Sequence, residues 1–153
     1  MLFDLLTPDE ADDRRNVFDI ALLGQRVLEA LDALPAPARD LPLGLFGAST
    51  GAAAALVAAA SRPDTVQAVV SRGGRPDLAR EHLRSVRAAT LLIVGGSDVE
   101  VLALNRAAFA VLHCEKRIDV VPRATHLFEE AGALETVARL ASDWFLEHLR
   151  PVG

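Results

Sequence analysis

Leu43-Gly44-Leu45-Phe46-Gly47-Ala48-Ser49-Thr50-Gly51, continued by Ala52 to Ala55, joins an apolar run to an alanine-rich one within a few residues. The first run has strand character and the second, to residue 61, has helix character. Between them Gly47-Ala48-Ser49-Thr50-Gly51 fits G-x-S-x-G, the strand-to-helix elbow that lifts a serine hydroxyl above the edge of a sheet. Small residues at 47 and 51 are expected to let the strand and helix backbones approach closely. A helix starting behind Ser49 also favours negative charge developing there. The bare pattern arises by chance in about one chain in twenty of this length, so its position between strand and helix is what makes it informative. The plain alternative is a turn that only packs, or one that cradles an anion on backbone N–H groups.

Strand and helix alternate in both directions from this elbow. Residues 2–6 read as a short strand. Thr7-Pro8-Asp9-Glu10 then reads as a capped helix start, with proline at the first helical position and glutamate closing the box. Val17, Ile20, Ala21, Val27, Leu28, Leu31 and Leu34 fall on one helical face, which Pro35 and Pro37 end. Strands are predicted at 41–46, 66–70, 90–94 and 117–121, with helices at 52–61, 76–86, 101–113 and 129–149. The strands are short and almost wholly apolar, as parallel strands covered on both faces are. The expected fold is α/β: one domain over residues 1–153, three layers α/β/α, around a mostly parallel sheet of about five strands.

The bulk numbers narrow the function classes. The chain has 153 residues, 51% of them hydrophobic and 24% charged, the balance of a globular domain. Its formal net charge is −5 and its arginines are scattered among acids, which argues against a nucleic-acid partner. The longest apolar run, 52–60, is well short of the roughly 20 residues a membrane helix needs. The first residues lack the pattern of a secretory signal. A lone cysteine, Cys114, allows no intrachain disulfide and no cysteine metal cluster, and a cytoplasmic location is expected. No P-loop, dinucleotide fingerprint or clustered metal-ligand set is present, so no cofactor is implied.

Two more side chains complete a candidate site. Asp98 follows the strand at 90–94 through Gly95-Gly96-Ser97, and His126 follows the next strand, just before the last helix. Loops at the carboxyl ends of parallel strands are where such sheets place their sites. The chain order Ser49, Asp98, His126 is the order of a serine triad in this elbow class. Asp98 also suits a helix cap, and His126 an ordinary loop position. Glu100 is an alternative acid. His82, His113 and His148 have simpler readings as solvated or helix-end residues. Cys114 reads as a small buried hydrophobe. Arg72 and Arg75, past the end of the strand at 66–70, are candidates to meet an anionic substrate, against a plainer role as solvated loop charges.

The elbow 43–51, the stretch Thr90-Leu91-Leu92-Ile93-Val94-Gly95-Gly96-Ser97-Asp98 and Ala124-Thr125-His126-Leu127-Phe128 resemble the α/β-hydrolase superfamily, and most of all its dienelactone-hydrolase-like branch. Val70-Ser71-Arg72-Gly73-Gly74-Arg75-Pro76-Asp77-Leu78 is similar to hydrolase domains fused behind phosphoribosyltransferase domains. The resemblance implies a serine hydrolase acting on a small ester or lactone through an acyl-enzyme. Dienelactone hydrolases often carry cysteine where this chain has Ser49. The resemblance also implies one oxyanion donor at the Thr50 N–H and a second from a loop near the family's third strand. By that resemblance the chain looks N-terminally truncated, without the family's first strands, and a missing donor costs about 100- to 1,000-fold in rate. It also leaves the elbow strand short of a neighbour: either residues 2–6 shift across to pair with it, or an open apolar edge invites a homodimer. The alternative function is a non-catalytic α/β-hydrolase-like remnant kept for binding or assembly.

Overall fold

A computed structural model describes residues 1–151. Four parallel strands form one sheet in the order β1 (Leu43–Ala48), β2 (Val66–Arg72), β3 (Ala89–Gly95), β4 (Lys116–Val121). The register pairs Leu45 with Val69, Val70 with Leu91, and Leu92 with Ile118. Side chains alternate between the faces along β3, and in β2 the alternation is interrupted at Gln67, where the register against β1 shifts. Val66, Val69 and Leu92 point into one core, while Ala68, Val70, Leu91 and Ile93 point into the other.

The first core is covered by α5 (Thr50–Ser61) and α6 (Val99–Val111), with Leu56, Ala59, Ala108 and Leu112 buried in it. Helix α3 (Ile20–Asp32) lies outside α5 and packs Leu23 and Val27 on Ala54 and Ala58. The second core is covered by α7 (Ala133–His148), which buries Val137, Ala141 and Trp144. Trp144 Nε1 donates to the Ala89 carbonyl at 3.1 Å, so the buried indole keeps a partner at the start of β3. Truncating a buried ring of this size costs about 3–5 kcal/mol. Lys116 closes the far end of α6: its ammonium donates to the carbonyls of Phe109 and Leu112, both at 2.6 Å. The result is the three-layer α/β/α architecture read from the sequence. Among the described residues no helix is long and apolar enough to cross a membrane.

Three expectations need correction. The sheet has four strands rather than about five, because residues 2–6 form no strand. Leu5 and Leu6 instead pack as side chains against the α3–α5 cluster, while Leu2 is fully exposed. A strand needs a partner backbone as well as apolar side chains, and β1 keeps an unpaired outer edge with Phe46 51% exposed. The capped helix start is real, with the Thr7–Glu10 box in place, but it opens a single turn, α1 (Pro8–Ala11). A second short turn, α2 (Arg14–Val17), precedes α3, and α4 (Ala36–Arg39) is another turn after Pro35. Finally, 76–86 is not an α-helix but two 3₁₀ turns, Pro76–Ala79 and Leu83–Ser85. Pro76 and Ala79 are buried, as are Leu83 and Val86; this spacing of three is the 3₁₀ repeat.

Candidate active site

Ser49 sits between β1 and α5 with φ 51° and ψ −123°, a conformation that L residues rarely adopt. Strain of this kind costs about 1–3 kcal/mol and persists only where the surroundings over-determine it. Here they do. The Ser49 N–H donates to the Arg72 carbonyl at 3.2 Å, and the Arg75 N–H donates to the Ser49 carbonyl at 3.0 Å. Residues 72–75, at the end of β2, therefore clasp the elbow from both sides. The close approach is concentrated at Gly47, where a Cβ would lie 2.5 Å from the Gly51 carbonyl oxygen and 2.6 Å from Ala52 Cα. Gly51 does not share that constraint; a Cβ there would meet only Leu5 Cδ1, at 4.0 Å. Thr50 is the first residue of α5, so its N–H has no carbonyl one turn back within the helix.

The Asp98 and His126 loops are stitched together by backbone. The Gly96 N–H donates to the Val121 carbonyl at 2.8 Å, and the Ser97 N–H to the Ala124 carbonyl at 3.0 Å. Gly95 permits this contact: a Cβ there would stand 2.7 Å from the Thr125 carbonyl oxygen. His126 Nδ1 and Asp98 Oδ2 are 2.8 Å apart. With Nδ1 occupied by the carboxylate, Nε2 is the ring nitrogen left for proton transfer. The Asp98 side chain is 16% exposed and the imidazole 40%, so the pair is sheltered but open to small molecules. Asp98 is also the N-cap of α6, its Oδ1 accepting from the Val101 N–H at 3.4 Å. The two readings of Asp98, cap and acid partner, are thus not exclusive. Glu100, the alternative acid, is exposed, and the imidazole takes Asp98 instead.

His126 leans on the same segment, at Arg72 and Gly73. Its ring Cε1 would stand 3.6 Å from a Cβ on Gly73, and its carbonyl accepts from Arg72 Nη1 at 3.4 Å. Nucleophile candidate and imidazole thus flank one loop at the carboxyl ends of β1, β2 and β4. Among the described residues no hydrogen bond joins the Ser49 hydroxyl to the ring. Such contacts are often long before substrate binds.

Arg72 and Arg75 differ in their surroundings. Arg75 forms a two-pronged pair with Asp77, at 2.9 and 2.8 Å, and its charge is thereby neutralised locally. Arg72 has no carboxylate partner among the described residues; its guanidinium lies 5.5 Å from the centre of the Phe128 ring. Burial pulls its pKa below the ordinary arginine value. His82 and His113 are exposed, and His148 is half-buried against Trp144, ring centres 4.0 Å apart. Cys114 lies beside Thr90, 3.6 Å from its hydroxyl, and burial pushes the thiol pKa up. Among the described residues no three His, Cys, Asp or Glu side chains group as metal ligands.

Sequence reasoning passed over Glu130, whose Oε1 accepts from the Thr125 N–H at 3.0 Å and so ties down the histidine loop. An acid placed just past a histidine-bearing turn was the available signal. Hydrogen bonding from the Thr125 side chain, helped by the Glu130 and Thr125 backbone N–H groups, holds the Glu130 carboxyl below the usual glutamate range. A lowered folded pKa adds stability above the unfolded value of about 4.3, lost as pH falls through the folded value. Thermal melts of Glu130→Ala should therefore sit below wild type at neutral pH, with the gap narrowing in acid. A gap that stays constant down to low pH would contradict the assignment.

No family model matches the chain. It is 59% identical over 151 residues to proteins in two strains of Mycobacterium tuberculosis that bear the provisional name phosphoribosyl transferase. The match covers 97% of this chain and 34% of theirs, so the chain spans about a third of the length of those curated relatives. Among solved structures, a dienelactone hydrolase from Anabaena variabilis is 55% identical with a TM-score of 0.90, over 96% of this chain and 71% of that one. A dienelactone-hydrolase-like promiscuous phosphotriesterase from metagenomic libraries is 18% identical, with a TM-score of 0.68, over 93% and 65%. That second likeness is one of fold alone.

Proposed function

Because the chain belongs to the dienelactone-hydrolase-like branch of the α/β-hydrolase superfamily, we propose that it is a serine hydrolase of small esters or lactones. The observation that carries this reading is the 2.8 Å contact between His126 Nδ1 and Asp98, beside the loop that clasps Ser49 at φ 51°. Ser49 Oγ attacks the acyl carbon while His126 Nε2 takes its proton. Asp98 keeps the imidazole in the tautomer with Nδ1 protonated and stabilises the imidazolium. The Thr50 N–H receives the developing oxyanion. His126 returns its proton to the leaving alkoxide. The acyl-enzyme is then cleaved by a water that the same histidine activates. A fluorophosphonate probe tests this: it should label the folded protein on Ser49. A folded sample that stays unlabelled would sink the enzyme reading in favour of a binding or assembly module.

Within the same reading, Arg72 is the group that meets a substrate carboxylate. Its guanidinium lacks an acidic partner among the described residues and sits beside the histidine loop, whereas Arg75 is committed to Asp77. A hydrogen bond to a charged group contributes about 1.5–3 kcal/mol, or roughly 10- to 100-fold. Arg72→Ala should lower kcat/KM by that factor more on a carboxylated ester than on its neutral counterpart. Equal losses on both would rule out charge recognition.

A further inference from the structure

Asn105 is fully buried in α6, two turns beyond Asp98, where the helix otherwise presents Ala108 and Leu112 to the core. Its Nδ2 donates to the Gly74 carbonyl at 2.9 Å and to the Val101 carbonyl at 2.8 Å. Its Oδ1 is buried with no hydrogen-bond partner among the described residues. A buried amide with an orphaned oxygen is a poor way to fill a core, and an apolar residue of that size would pack there at less cost. Its value lies in what Nδ2 holds.

The Gly74 carbonyl and the Arg75 N–H belong to one peptide unit. Asn105 binds its oxygen, and its N–H donates to the Ser49 carbonyl at 3.0 Å. The Ser49 carbonyl in turn shares a peptide unit with the Thr50 N–H. Three groups thus stand head to tail: the Asn105 amide, the Gly74–Arg75 peptide and the Ser49–Thr50 peptide. Peptide planes are stiff, so fixing one end of such a row fixes the direction of the next. Each hydrogen bond also polarises the one that follows. The middle plane has little room to turn. A Cβ on Gly74 would collide with Ser71 Oγ and stand 2.7 Å from Ala52 Cβ.

We propose that Asn105 is a positioning residue which, through the Gly74–Arg75 peptide, aims the Thr50 N–H at the oxyanion. Helix α6 then does two jobs: its N-cap aspartate orients the imidazole, and its buried amide orients the donor opposite. This rests on the serine-hydrolase reading above.

The test is steady-state hydrolysis of p-nitrophenyl acetate by wild type, Asn105→Leu, Asn105→Ala and a control, Leu112→Ala. Leu112→Ala weakens the same helix's packing without touching the row. An oxyanion contact is made in the transition state and not with bound substrate. The asparagine variants should therefore lose about 10- to 100-fold in kcat with KM little changed, part of the 100- to 1,000-fold for a whole donor. Leu112→Ala should lose stability and keep its kcat per folded molecule. Hydrogen exchange of the wild-type Arg75 amide should be as slow as that of the core strands. Unchanged kcat in a folded asparagine variant, an equal fall in Leu112→Ala, or fast exchange at Arg75 would each overturn the positioning role. Should neither asparagine variant fold, the Arg75 exchange rate decides. A wild type inert to both ester and fluorophosphonate would instead sink the hydrolase reading, and this one with it.

Discussion

Ser49→Ala should reduce ester hydrolysis by about 10⁶-fold in kcat, leaving only what binding and the oxyanion donor contribute. The size follows from the division of labour. Without a nucleophile there is no acyl-enzyme, and neither the imidazole nor Asp98 has a proton to move. His126→Ala should cost nearly as much, and Ser49→Ala combined with His126→Ala little more than either alone, because residues that act as one unit are not additive. Asp98→Asn is the subtler case. It preserves the shape of the pair 2.8 Å from Nδ1 but removes the charge that selects the tautomer and stabilises the imidazolium. A loss of about 10⁴-fold is expected. Rates on p-nitrophenyl acetate for the four variants, against wild type, check the pattern. Full multiplicativity of the serine and histidine losses would contradict a shared mechanism.

The second large effect is on folding and separates the two glycines of the elbow. Gly47→Ala would set a methyl group 2.5 Å from the Gly51 carbonyl oxygen and 2.6 Å from Ala52 Cα. Both are backbone atoms at the first turn of α5 and neither can swing aside as a side-chain tip does. Overpacking usually costs about 1–3 kcal/mol. With rigid backbone as the neighbour, a cost of about 3 kcal/mol or more is expected, a large share of the roughly 5–15 kcal/mol that holds a domain folded. Gly51→Ala has open space around the new methyl and lies within a helix, where alanine is favoured over glycine by about 1 kcal/mol. It should be neutral or stabilising. Urea denaturation midpoints give the answer directly, and similar losses at both positions would refute the account of the elbow.

The parallel strands were legible because their requirements are local. Val66, Ala68, Val69 and Val70, like Leu91 to Val94, are apolar on both faces, which only a doubly covered strand demands. The elbow was legible because glycine, serine and position coincide. Residues 2–6 show the limit. Their leucines are apolar enough for a strand, but strand formation depends on a neighbour's backbone, which no local pattern reports. Residues 76–86 show another: their apolar positions pass for a helix until the intervals of three between Pro76 and Ala79, and between Leu83 and Val86, are seen to be the buried ones. Serine, aspartate and histidine could be named from loop positions and chain order. The stitching of the Asp98 loop to the His126 loop could not, since it runs through main-chain atoms of Gly96, Ser97, Val121 and Ala124. Asn105 was missed although a signal exists: an amide at a position two turns from a helix N-cap where the pattern calls for an aliphatic side chain.

A crystal structure of the phosphonylated protein bears most directly on whether these three side chains work together. Phosphorus should be bound to Ser49 Oγ, with His126 Nε2 within about 3 Å of that oxygen, Nδ1 still on Asp98, and the Thr50 N–H directed at the phosphonyl oxygen. An adduct on any other residue, or one on Ser49 with the imidazole turned away from it, would contradict the hydrolase mechanism.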